Sequence, residues 1–166
     1  MSNNIEKVAV LGAGTMGAQI AGHLANAGIP SCLFDISQEL AEKGVGLLKS
    51  LKPAPLYKPK NIELIEACNY DQHLEKIKEV DWILEAVAEN LEIKHKVYNN
   101  IMDYLKDTAI VSSNTSGIPL ADLTKVMSDE VKKRFLITHF FNPPRYMRLL
   151  ELVKGPNTSD DIYNKM

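Results

Sequence analysis

Hydrophobic and polar positions along this chain switch repeatedly between a strand period and a helix period. Lys7–Leu11 (KVAVL) is a β-branched run ending at glycine, the pattern of a strand buried on both faces. From Thr15 to Ala27 the small or apolar residues Gly17, Ala18, Ala21, Leu24 and Ala25 recur at helical spacing. Thr15, Gln19, His23 and Asn26 fall on the opposite, polar side, and Gly28 suits a C-cap. Ser31–Asp35 reads as a second strand, and Leu40–Leu51 as a second helix ended by Pro53 and Pro55.

The middle of the chain is less regular. Lys52–Lys60 (KPAPLYKPK) is basic, proline-broken and loop-like; a short strand over Leu64–Cys68 and a weak helix over Asp71–Lys78 follow. The pattern then predicts a strand at Asp81–Ala86, a helix at Leu91–Leu105, a strand at Ala109–Ser113 and a short helix at Pro119–Met127. Strands at Arg134–His139 and Leu149–Lys154 are joined by a Pro-rich turn. Thr158–Asp161 has the composition of a helix N-terminus. A helix that begins two turns before Met166 suggests that the chain is a fragment of a longer protein. Strands alternating with helices imply βαβ units and a mostly parallel, twisted sheet.

Length and charge narrow the function. The 166 residues are enough for one domain, and 45% hydrophobic with 24% charged residues is ordinary globular composition. A net charge of −2 gives no bulk attraction to nucleic acid or an anionic membrane. No apolar run approaches a membrane span, and Met1–Lys7 contains no apolar segment of the signal-peptide kind. Cys32 and Cys68 do not make a disulfide framework; Cys32, in an apolar run, is expected as a buried thiol in a reducing, cytoplasmic setting.

Chemistry enters with Gly12-Ala13-Gly14-Thr15-Met16-Gly17, which follows the first strand and opens the first helix. The first glycine permits the tight turn, the second lets a pyrophosphate approach the backbone, and the third lets helix and strand pack closely. The helix N-terminus offers free N–H groups and a positive dipole end to phosphates. A lone glycine pattern is weak evidence. Here strand, fingerprint, helix, second strand and terminal acid occur in order, with Asp35 near the ~20-residue offset expected of a ribose-binding carboxylate. The fold expected is α/β, Rossmann-type and doubly wound, over residues 1–166. Asp35 would repel a 2′-phosphate and no arginine stands beside it, so NAD is favoured over NADP. Met16 is expected to line the nucleotide site.

A dinucleotide fold does not specify a reaction. The informative stretch is Thr138-His139-Phe140-Phe141-Asn142-Pro143-Pro144, with Glu151 on the next strand. His139 should stand at the carboxyl end of a strand, and the turn could bring Glu151 to it. An imidazole held by a carboxylate has a fixed tautomer and suits abstraction of a hydroxyl proton during hydride transfer. Ser116, in Ser113-Asn114-Thr115-Ser116, could hydrogen-bond the same hydroxyl. Spacing alone also allows a structural histidine.

The fingerprint GAGTMG, the segment Glu85–Lys94 (EAVAENLEIK), SNTS at 113–116, HFFNPP at 139–144 and Leu150-Glu151 together resemble the NAD-binding half of the 3-hydroxyacyl-CoA dehydrogenases, across essentially the whole chain. The resemblance implies that His139 is the general base, Glu151 its orienting partner and Ser116 a hydroxyl-binding residue. Asn142 would hold substrate or nicotinamide, with Asn114 beside the cofactor, and Glu89 and Lys94 would contact NAD on the nicotinamide side. The implied reaction is reversible oxidation of an L-3-hydroxyacyl-CoA to a 3-ketoacyl-CoA in fatty-acid β-oxidation. Members of that family carry a further helical domain that closes the site and dimerises; it is absent here, so the complete protein is expected to be a homo-oligomer. The compact members also have a long charged helical pair where this chain has KPAPLYKPK, a departure that resembles the large bacterial forms fused to an enoyl-CoA hydratase. Lys52, Lys58 and Lys60 could meet CoA phosphates, against the simpler reading of a solvated basic loop.

His23, His73 and His95 read as solvent-exposed, Trp82 as core, and Lys132, Lys133 and Arg134 as a short solvated run. No spacing suggests a metal site. Two alternatives to the dehydrogenase stay open: a catalytically silent NAD-binding or structural protein of the same fold, and a different hydroxyacid dehydrogenase.

Overall fold

The computed structural model of the protein describes residues 5–166, so Met1–Asn4, the start of the polar stretch read for a signal segment, lie outside the described residues. Seven strands form one sheet in the order β3-β2-β1-β4-β5-β6-β7. They are β1 (Val8–Leu11), β2 (Ser31–Asp35), β3 (Ile65–Asn69), β4 (Trp82–Glu85), β5 (Ile110–Ser113), β6 (Phe135–Phe140) and β7 (Leu150–Lys154). All neighbours are parallel except β6 and β7, which pair antiparallel across the Pro-rich turn.

Covering both faces of the sheet is what the β-branched runs require. Along β1, Val8 and Val10 pack on one face with Leu33, Leu84 and Ile110, beneath helix α1 (Thr15–Asn26). Ala9 and Leu11 pack on the other with Phe34, Ile83 and Val111, beneath helix α3 (Leu91–Ile101) with Val97, Tyr98 and Ile101. Helix α2 (Gln38–Leu47) starts two residues earlier than expected because Ser37 caps it, its side chain accepting from Leu40 N at 3.2 Å. α3 is shorter than the periodicity predicts, its tail tightening into a 3-10 turn at Met102–Tyr104. The expected 119–127 helix divides into α4 (Leu120–Leu123) and a 3-10 turn. Lys132 closes α5 (Asp129–Lys132), capped by Ser128, where a mere solvated run was expected. α6 (Asp160–Lys165) is capped by Ser159, while Thr158 turns inward to donate to Phe135 O at 2.6 Å. No helix among the described residues is long and apolar enough to cross a membrane.

The polar side of α1 is not left to water. The basic loop, which includes a 3-10 turn at Pro59–Leu64, lies over it: Asn26 donates to Pro55 O at 2.8 Å and accepts from Tyr57 N at 2.7 Å. Arg145, from the turn after β6, stacks on the Tyr57 and Tyr146 rings and donates to Ala54 O and Leu56 O at 2.6 and 2.8 Å. Further along that face Gln19 is buried, and His23 is half-buried edge-on to Phe140. Its Nδ1 is enclosed without a hydrogen-bond partner, and burial pushes its pKa down. His73 and His95 are likewise half-buried, His73 accepting from Asn69 N at 3.1 Å and His95 lying 2.8 Å from Asp122 O. All three histidines thus depart from the expected exposure, because elements distant in sequence close over faces that a single helix or turn would leave open. Trp82 is core, as expected, and its indole donates to Ser112 Oγ at 2.8 Å.

Candidate functional site

Neighbouring strands β1 and β4 connect to opposite sides of the sheet, so a crevice opens beyond their carboxyl ends, where open α/β sheets take ligands. Two hollows lie there, of about 330 and 290 Å³, with Ala86 and Val87 common to both walls. Gly12, Gly14, Asp35 and Tyr70 line the smaller; Met16, Asn114, Ser116, His139 and Asn142 line the larger. The fingerprint sits at the join.

The fingerprint's glycines fit their expected mechanics. Gly12 has φ +104°, and a Cβ there would come 2.7 Å from Ala86 O. A Cβ on Gly17 would meet Gly12 O at 1.8 Å, so helix and turn could not close. At Gly14 a Cβ would meet nothing within 4 Å, which leaves the backbone open to an approaching group. Gly14 is also the N-cap of α1 and supplies no capping side chain, so the helix N-terminus faces that space with free N–H groups. This cradle fits a pyrophosphate. Asp35 accepts from Ala13 N at 2.8 Å and Ile36 N at 2.7 Å, which fixes its carboxylate beside the fingerprint. Asp35→Ala is expected to weaken NAD binding by roughly 10- to 100-fold, the value of hydrogen bonds to a charged group, while NADP binding falls less. Fluorescence titration with each reduced coenzyme checks this.

At the other end, His139 and Glu151 are register partners on β6 and β7, and His139 Nδ1 lies 2.9 Å from Glu151 Oε2. A carboxylate only accepts, so Nδ1 carries the hydrogen in the neutral ring, and Nε2 is left with its lone pair. His139 also packs against Phe141, with ring centroids 4.7 Å apart. Asn114 Oδ1 accepts from Phe140 N at 2.8 Å, and Asn142 Oδ1 accepts from Gln19 Nε2 at 3.1 Å. Ser116 is exposed on the loop after β5, and with His139 it borders both the larger hollow and a second one of about 270 Å³ reaching Glu151. The structure brings together Ser116, His139, Glu151, Asn114, Asn142, Glu89 and Met16. Lys52, Lys58 and Lys60 stand exposed on the loop held by Arg145, and none of them lines either hollow of the crevice.

Three residues central to the site, Glu85, Thr115 and Gln19, were not foreseen; Lys94 was expected as a cofactor contact. Glu85, at the end of β4, is fully buried and accepts from Lys94 Nζ (2.8 Å), Val87 N (2.8 Å), Tyr98 Oη (3.0 Å) and Ser113 Oγ (2.5 Å). Lys94 is itself 1% exposed and spans from Glu85 to Glu89, 3.2 Å away. Lys94 also lines the larger hollow. Thr115 donates to Glu89, which also accepts from Ser116 N and Gly117 N at 3.2 and 3.3 Å. Burial opposes the charge of Glu89, but Thr115, Lys94 and Gly117 outweigh it and hold the carboxyl below its usual range. Burial, with the Glu85 charge beside it, pushes the Tyr98 phenol up. Gln19 is the third, tying α1 to Asn142. The available signal was a carboxylate inside the apolar strand DWILEA, since a buried charge demands a partner.

A mostly parallel sheet with a glycine cradle and a fixed carboxylate at its switch point, and a carboxylate-held imidazole beyond it, defines a dinucleotide-binding domain of an oxidoreductase. The match to a family model is equally specific: residues 7–166 fit the NAD-binding domain of 3-hydroxyacyl-CoA dehydrogenase. The chain belongs to that family, and its cofactor is NAD. It is similar to a Bacillus subtilis (strain 168) protein named "Probable 3-hydroxyacyl-CoA dehydrogenase", 44% identical over 188 residues, covering all of this chain and 24% of the relative. It is 35% identical to the fatty acid oxidation complex subunit alpha of Idiomarina loihiensis, over 98% of this chain and 23% of that one. The solved (S)-3-hydroxybutyryl-CoA dehydrogenase of Ralstonia eutropha superposes with a TM-score of 0.84 at 33% identity, over 97% of this chain and 58% of that chain. The chain therefore spans about a quarter of the length of those two sequence relatives.

Proposed function

We propose that the complete protein oxidises an L-3-hydroxyacyl-CoA to the 3-ketoacyl-CoA, reversibly, with His139 as general base. The observation that carries this is the 2.9 Å His139–Glu151 pair at the border of the larger hollow. NAD would be held by the Gly12–Gly17 cradle and Asp35 and would supply the hydride acceptor for the hydroxyl-bearing carbon. Glu151 keeps the proton on Nδ1, so that Nε2 takes the hydroxyl proton as the carbonyl forms. The imidazolium that results is stabilised by the carboxylate behind it. Ser116 hydrogen-bonds the reacting oxygen, and Asn142, held by Gln19, positions substrate or nicotinamide. Glu89 and Asn114 face the cofactor's nicotinamide side, and Lys94 fixes Glu89 from beneath.

The chain covers about a quarter of the two sequence relatives' lengths, which supports a longer complete protein; we read its further parts as a helical domain that finishes the substrate site and an enoyl-CoA hydratase. The name of the Idiomarina relative favours a role in fatty-acid oxidation. Lys52 and Lys58 are the loop cations offered to CoA phosphates. The test is NADH formation from L-3-hydroxyacyl-CoA by the full-length protein, followed by absorbance. Turnover supports the reading. NADH binding without oxidation at any pH would favour a silent NAD-binding protein.

A further inference from the structure

Cys32, Glu66 and Cys68 stand apart from the crevice, and the mechanism uses none of them. Cys32 lies on β2 opposite Glu66 of the edge strand β3, while Cys68 lies opposite Phe34. Register partners and residues two apart share a face, so all three side chains project to the same side of the sheet. Their ligand atoms all lie within 4.8 Å of one another. Both thiols are 0% exposed, and the Glu66 side chain is 52% exposed at the edge.

The register decides what such a cluster can do. Strands about 4.8 Å apart, with two residues of offset along them, put the two cysteine Cα atoms about 8 Å apart, beyond the ~7 Å limit for a disulfide. A tetrahedral ion with metal–sulfur bonds of about 2.3 Å instead needs the sulfurs about 3.8 Å apart, which the cluster can meet without backbone movement. The carboxylate is already turned for it. Lys76 holds Glu66 Oε1 at 2.7 Å, which leaves Oε2 3.9 Å from Cys32 Sγ. Two thiolates and a carboxylate would carry three negative charges. A divalent cation leaves one, with Lys76 alongside to offset it.

We infer that Cys32, Cys68 and Glu66 form a binding site for one thiophilic divalent cation of the zinc and cadmium class, with a fourth position open to water beside Glu66. An ion there staples the edge strand β3 to β2. The exposed carboxylate is the route by which a hydrated cation reaches the buried thiols.

The site is tested by titrating the reduced, metal-free full-length protein with Cd²⁺ and recording thiolate-to-metal charge-transfer absorption in the ultraviolet. One equivalent per chain is expected to produce the band, and Zn²⁺ is expected to displace it and raise the melting temperature. Cys32→Ser and Cys68→Ser should each lose more than about 100-fold in affinity, and the exposed Glu66→Gln about 10-fold. Absence of the band in the wild type would overturn the site, as would an unchanged band in the cysteine variants. Should those variants fail to fold, Glu66→Gln decides: affinity equal to the wild type would sink the assignment.

Discussion

His139→Ala in the complete protein is expected to lower turnover by about 10²- to 10⁴-fold, with NAD affinity nearly unchanged. The size follows from removing a positioned proton acceptor; the cofactor cradle at Gly12–Gly17 lies on other elements and keeps its shape. His139 is also a surface-side residue at the end of β6, half-buried and not part of the core, so its loss leaves folding intact. Steady-state rates with an L-3-hydroxyacyl-CoA, alongside NADH titration by fluorescence, separate the two quantities. Lost NADH binding in a folded variant would place His139 in the cofactor site and remove it from proton transfer.

Lys94→Met should act in the opposite register, on stability before chemistry. It would leave the Glu85 carboxylate at 0% exposure with three neutral hydrogen-bond donors and no cation. Breaking one side of a buried ion pair costs about 3–5 kcal/mol. In a domain of this size that is roughly a 6–20 °C fall in melting temperature. Adding Glu85→Gln should recover much of the loss, since the uncompensated charge is then gone. Calorimetry on the two single variants and the double one gives the coupling. A fall under about 1 kcal/mol for Lys94→Met would mean that the pair does not carry the junction of β4 and α3.

Much of this architecture is legible in local pattern. The strands at β1, β2, β4 and β5 follow from short apolar runs ending in glycine or polar residues, and GAGTMG with Asp35 anticipates the cradle. His139 and Glu151 could be matched because a two-strand hairpin translates sequence spacing into cross-strand register. What stays hidden is contact between elements far apart in sequence. Nothing in the polar face of α1 reveals that the 52–60 loop, held by Arg145, will meet Asn26, or that Phe140 and Asn142 will meet His23 and Gln19. That Glu85 and Lys94 pair with each other shows only once the helix after β4 brings the ammonium back to the strand end. Cys32 and Cys68, thirty-six residues apart, follow no metal-ligand spacing; only the parallel pairing of β2 and β3 sets them on one face with Glu66. The short helix α5 escapes the hydrophobic period for a related reason: its start is set by the Ser128 cap.

The most direct check is a crystal structure of the complete protein with NAD bound. The account predicts the adenosine ribose on Asp35, the pyrophosphate over Gly14 and the pyridine ring in the hollow beside Ser116 and Asn142. His139 Nε2 should point toward that ring while Nδ1 keeps its bond to Glu151. A pyridine ring lodged elsewhere, or an imidazole turned away from it with Glu151 beyond hydrogen-bonding reach, would contradict the account.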